Sequence, residues 1–196
     1  AADIERSRRP DGQWPVHPLD HDDDTPRSGF KGLYFGSAGV IWALHYLQRA
    51  GAVTLNLDPA AAIQQALDAY RAEPDSGEIV PSLWLGEAGV LLAQWRIAGS
   101  PEAADRLHEV IRSNIGNPTN EALWGAPGTA VAAWHLWRAT HEARWRELFL
   151  DNTEDLWRTW QYDAKAQCHL WTQDLYGRTV RYLGAGHGFA GNVYPL

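Results

Sequence analysis

Apolar positions along the chain fall into two kinds of run. After Gly39 the residues Val40-Ile41-Trp42-Ala43-Leu44-His45-Tyr46-Leu47 are apolar on nearly every side, which predicts a helix buried all round. The stretch after Pro59 is different. Ile63, Leu67 and Tyr70 share one face while Gln64, Gln65, Asp68 and Arg71 share the other, behind Asp58 as N-cap and Pro59 in the first turn. The pair then recurs. Val90-Leu91-Leu92-Ala93-Gln94-Trp95 is again apolar, and Ser100-Pro101 opens an amphipathic helix with Leu107, Val110 and Ile111 on one stripe. Ala130-Val131-Ala132-Ala133-Trp134-His135-Leu136-Trp137 begins a third round, followed by a charged helix expected to turn Trp145, Leu148, Phe149, Leu156, Trp157 and Trp160 inward. Only Arg178-Thr179-Val180-Arg181-Tyr182 reads as a strand.

Each apolar helix is announced by the same device. Gly36-Ser37-Ala38-Gly39, Gly86-Glu87-Ala88-Gly89, Gly125-Ala126-Pro127-Gly128 and Gly188-Phe189-Ala190-Gly191 are four copies of a Gly-x-x-Gly turn. Alternating inner and outer helices with small-residue turns at one end predict an all-α protein, an α/α toroid in which buried helices form an inner ring and amphipathic helices an outer one. Residues 1–31 stand apart. Pro10, Pro15, Pro18, Pro26 and the acidic run Asp20-His21-Asp22-Asp23-Asp24 predict an irregular N-terminal arm, and 32–196 the partial toroid. Asp20, Asp22 and Asp24 alternate as in a calcium loop, but Thr25 and Lys31 occupy the places of its glycine and its bidentate glutamate, so a solvated loop is expected. The fourth inner helix has hardly begun at Leu196, so the ring is expected to be incomplete, its remainder supplied by a missing C-terminal half or a partner chain. No Met occurs, which fits a processed or partial chain.

Composition narrows the partners. A formal net charge of −7 leaves no basic stripe for a nucleic-acid backbone. No apolar run is long enough for a membrane span, and residues 1–10 lack the apolar core of a signal peptide. A single cysteine, Cys168, fits a reducing compartment, and a cytoplasmic protein is expected. Eleven Trp against four Phe predict an interior of large rings that need partners for their N–H groups.

Only the fourth glycine copy carries a histidine in front of it, in Leu183-Gly184-Ala185-Gly186-His187-Gly188-Phe189-Ala190-Gly191. A helix starting there is expected to aim its unpaired backbone N–H groups at whatever His187 faces. Gly186-His187-Gly188-Phe189-Ala190-Gly191 also satisfies the dinucleotide fingerprint formally, but the βαβ unit and downstream acidic residue it requires are missing. His141-Glu142 opens a zincin motif that Trp145 breaks, and Cys168 reads as an ordinary structural thiol.

The glycine copies, ending in Tyr182-Leu183-Gly184-Ala185-Gly186-His187-Gly188-Phe189-Ala190-Gly191, resemble the lanthionine synthetase C-like (LanC-like) family, over roughly residues 29–196. Glu121-Ala122-Leu123-Trp124-Gly125-Ala126-Pro127-Gly128 is similar to the repeat preceding the histidine copy in the family's eukaryotic branch. The resemblance implies a toroid holding a zinc ion and addition of a thiol, from a peptide cysteine or glutathione, to dehydroalanine or dehydrobutyrine. It also implies that zinc lowers the thiol's pKa and that a positioned acid returns a proton to the enolate. His187 matches the family's acid/base histidine and Glu121 the acidic residue near the site. The family's zinc ligands, in Trp-Cys-x-Gly and Cys-His-Gly elements downstream of the histidine copy, are expected beyond this chain; Cys168-His169 lies upstream and is followed by Leu170. The chain is therefore expected to be inactive alone. Two other readings stand beside this one: a non-catalytic α/α-repeat domain binding peptides or partner proteins, and a sugar-active barrel using Glu87 and Glu121 as paired carboxylates.

Overall fold

The computed structural model describes residues 1–21, 23 and 25–196; Asp22 and Asp24, on which the calcium-loop comparison turned, lie outside the described residues. The chain divides into two compact units, residues 1–80 with 84–107 and residues 81–83 with 108–196.

In the first unit, α1 (Ala2–Arg6) and a 3-10 turn (Pro18–Asp20) lie within the N-terminal arm, followed by α2 (Ser37–Arg49), α3 (Pro59–Ala72) and α4 (Glu87–Ala98). Asp58 caps α3 as its sequence predicts, its carboxylate accepting from the Ala60 N–H, and Gly99 ends α4 in the left-handed conformation that a side chain would disfavour. The amphipathic α3 buries Ala62, Ile63, Ala66, Leu67 and Tyr70 and packs on both α2 and α4, which also touch each other. α2 is not buried all round. Ser37, Ala38, Ile41 and Leu44 are buried, whereas Tyr46 and Leu47 near its C-terminus are exposed: the apolar run outlasts the surface available to cover it. Lys31 is wholly buried, its Nζ donating to the Glu73 carbonyl at 2.7 Å and lying 3.6 Å from the Asp75 carboxylate.

Helix α5 (Pro101–Asn114) carries the chain from the first unit into the second, with Ser100 Oγ accepting from the Ala103 N–H at its start and Leu107, Val110 and Ile111 buried as expected. The second unit continues with α6 (Ala126–Thr140), α7 (Ala143–Thr159), β1 (Gln161–Asp163), β2 (Cys168–Leu170), β3 (Gln173–Leu175), β4 (Arg178–Val180) and α8 (Phe189–Val193), and α6 packs on α7 and α8. In α7 the inward stripe is Trp145, Leu148, Asn152 and Leu156; Trp157, one residue round, is half exposed, and Trp160 lies past the helix end.

The protein is mostly helical, 51% by residue, but not all-α. Two antiparallel hairpins, β1–β2 and β3–β4, were not foreseen beyond the Arg178-Thr179-Val180 stretch. Strands of three residues are too short to display alternation, so the turns between them decide the pairing. Among the described residues no helix is long and apolar enough to cross a membrane.

Candidate functional site

All four glycine turns take one form. The first glycine of each copy is the helix N-cap with extended backbone: Gly36, Gly86, Gly125 and Gly188. The second glycine of copies one, three and four lies over a carbonyl six residues back. A Cβ on Gly39, Gly128 or Gly191 would come within 2.2 Å of the Leu33, Ala122 or Ala185 oxygen respectively. No side chain fits there, so the glycines are sterically required. The turns are also stitched in pairs. In the first unit the Tyr34 N–H donates to the Trp84 carbonyl, and in the second the Leu123 N–H donates to the Gly186 carbonyl at 3.1 Å.

At the histidine copy the first two helical N–H groups are already paired. Phe189 N–H donates to the Tyr182 carbonyl and Ala190 N–H to the Leu183 carbonyl, as Ser37 and Ala38 do to Phe30 and Lys31 in copy one. These two groups are spent on the lead-in, so they are not available to a ligand, contrary to the expectation from the sequence.

What the second unit does assemble is a carboxylate–imidazole pair. Asn117 orders the approach, its Oδ1 accepting from the Thr119 N–H, and Asn120 then turns with positive φ. The wholly buried Asn192 of α8 donates to the Asn120 carbonyl at 2.9 Å, tying the two turns together. Glu121 follows, wholly buried, and its Oε2 lies 3.0 Å from His187 Nδ1. The same carboxylate accepts from the Leu123 and Trp124 N–H groups. Burial pushes the Glu121 carboxyl above its ordinary range, while those backbone N–H groups and His187 pull the other way. The His187 side chain remains 35% exposed, and Nε2 is the ring nitrogen not engaged by Glu121.

A third residue joins the pair. Tyr176, at the tip of the β3–β4 hairpin, accepts at its hydroxyl from Trp124 Nε1 at 3.1 Å, and its ring stands edge-on to His187 with centroids 5.8 Å apart. The sequence reading missed it. Tyr176-Gly177 is the two-residue loop of that hairpin, and an X-Gly pair before a Thr-Val run was the available signal.

The other candidates fare differently. Glu87 is buried, and its two oxygens meet Arg71 and Arg106 at 3.1 and 2.8 Å, so both are already taken by ion pairs. Cys168 and His169 are adjacent on β2 and so point to opposite faces; Cys168 is exposed, and His169 packs on Trp160 and Tyr162. Among the described residues no three His, Cys, Asp or Glu side chains converge as metal ligands. Gly184 and Gly186 have open space where a Cβ would lie and an antiparallel hairpin precedes them, unlike a dinucleotide fingerprint. No protein-family model matches the chain, and no curated protein matches it at a significant level.

Proposed function

We propose that the second unit carries a proton-transfer site for adding a thiol across an activated carbon–carbon double bond, the LanC-like chemistry that the histidine copy resembles. The observation that carries the reading is the 3.0 Å contact between His187 Nδ1 and the buried Glu121 carboxylate, two residues singled out separately in the sequence. With Nδ1–H donated to Glu121, Nε2 is the basic nitrogen. The step draws on no zinc to acidify the thiol: Nε2 itself accepts the proton of a thiol from glutathione or a peptide cysteine, so the chain read from its sequence as inactive alone is here proposed to retain a metal-independent addition. The sulfur then bonds to Cβ of a dehydroalanine or dehydrobutyrine, the π electrons pass to the adjacent carbonyl as an enolate, and the Nε2 proton moves to Cα. Thiol plus alkene gives thioether, with no atom left over. Glu121 stabilises the imidazolium formed midway and fixes the ring's orientation. Within the first unit the amphipathic α3 packs on both α2 and α4, which touch each other, and within the second α7 and α8 both pack on α6; this pairing supports the α/α toroid reading of the fold.

Glutathione and a dehydroalanine-containing peptide, followed by the mass of the adduct, test the proposal on the full chain. The His187→Ala variant should be slower by ~10² to 10⁴ after subtraction of the solution background. Equal rates would return the chain to the reading of a non-catalytic peptide-binding domain.

A further inference from the structure

We infer that Tyr176 is a substrate-contacting member of this site, donating its phenolic hydrogen to an acyl oxygen beside His187. The inference rests on the proton-transfer reading of His187 and Glu121, and it names what the substrate must carry: a carbonyl conjugated to the double bond.

The backbone points there first. Tyr176 and Gly177 both have positive φ, 52° and 72°, the pattern of a type I′ turn, whose first position favours Asn, Asp or Gly. A bulky aromatic residue is unfavourable in that conformation, and such outliers persist where the surroundings hold them. The side chain explains the choice. Tyr176 is 70% exposed, so it is not a core residue, yet it is fixed at two points. Its oxygen accepts from Trp124 Nε1, and its ring meets the indole of Trp124 and the imidazole of His187 edge-on, at 88° and 78°. Trp124 and His187 are the residues immediately before Gly125 and Gly188, the same position in copies three and four. The hairpin therefore delivers one phenol to the matching corners of two turns.

The hydroxyl's chemistry follows from its bonds. Trp124 occupies one lone pair of the hydroxyl, which leaves the O–H itself to donate to another acceptor. In a dehydro residue the carbonyl oxygen lies two bonds, about 2.4 Å, from the Cα that receives the proton. One ligand group can thus meet both rings: His187 protonates Cα while Tyr176 holds the oxygen on which negative charge develops.

The test compares wild type with Tyr176→Phe and Tyr176→Asn, using N-acetyldehydroalanine methylamide as acceptor and glutathione as thiol. Phe keeps the ring and loses the hydroxyl; Asn suits the turn better than Tyr does. Both variants should lower kcat by about 10²-fold with little change in KM and the same pH profile. The Trp124 indole N–H resonance should move upfield in both, and Tyr176→Asn should melt no lower than wild type. Wild-type kcat in Tyr176→Phe, or an unmoved Trp124 resonance, overturns the inference while leaving the His187 reading intact. If wild type adds no thiol above background, the proton-transfer reading fails on its own. Tyr176 is then judged by binding of the same acceptor, monitored at Trp124: a tenfold or greater weakening in Tyr176→Phe keeps its carbonyl-donor role, and equal affinity or no binding overturns it.

Discussion

Glu87 in the first unit and Glu121 in the second are both buried carboxylates at a glycine turn, and their partners make them opposites. Glu87 is held by the guanidinium groups of Arg71 and Arg106. Glu121 is held by two backbone N–H groups and by the imidazole of His187. The same kind of anion is clamped between two guanidinium groups in one setting and set against an imidazole in the other, where the proposed proton transfer would use it. The chemistry belongs to the partner rather than to the carboxylate.

Breaking the turn that presents Glu121 should have the largest effect. Gly128→Ala forces a Cβ to 2.2 Å from the Ala122 carbonyl, a backbone atom that cannot swing away. A loss of about 3 kcal/mol is expected by denaturant unfolding, against almost none for Gly184→Ala, where the space is open. A similar loss in both would mean that the glycines serve flexibility rather than close approach.

The two carboxylates themselves come next. Glu121→Gln should slow thiol addition by about 10²-fold, equivalent to about 2.7 kcal/mol, because the amide no longer stabilises the imidazolium. Glu87→Gln should leave the rate unchanged and cost about 2 kcal/mol of stability, less than a fully buried pair, since both arginines are nearly half exposed and can turn to water. Rates that fall in Glu87→Gln and hold in Glu121→Gln would invert the comparison.

A third carboxylate gives the smallest effect and a clean sign. Glu73 is lowered from 4.5 to about 2, first by the Ser28 hydroxyl, then by the Ser28 and Arg27 N–H groups, with Lys31 adding to it. Its folded pKa lies below its unfolded one, so its contribution is complete above about pH 4.5 and disappears as the pH falls toward 2. Thermal melts of wild type and Glu73→Gln should differ at pH 7 and converge across that window. A gap that persists at pH 2 would assign the effect to packing.

Much of the scaffold was legible in the chain. Asp58-Pro59 announced its helix, the stripe of α3 was read residue by residue, and the four Gly-x-x-Gly copies marked four helix starts. Those signals are local: a cap, a period of 3.6 and a steric requirement act within a few residues of themselves. Lys31 shows the limit. It reads as a surface residue near an acidic run, yet it is wholly buried, because its partners at Glu73 and Asp75 are more than forty positions away.

The site divides along the same line. By itself the sequence determined which residues were distinctive, His187 as the only histidine in a glycine copy and Glu121 four places ahead of another. Tertiary structure decided what they are to each other. The Leu123–Gly186 and Asn192–Asn120 hydrogen bonds bring together two turns whose Glu121 and His187 are 66 positions apart, and a hairpin carries Tyr176 against Trp124 and His187. No local pattern encodes a contact of that range. It exists because the buried backbone groups of one turn find their partners in the next.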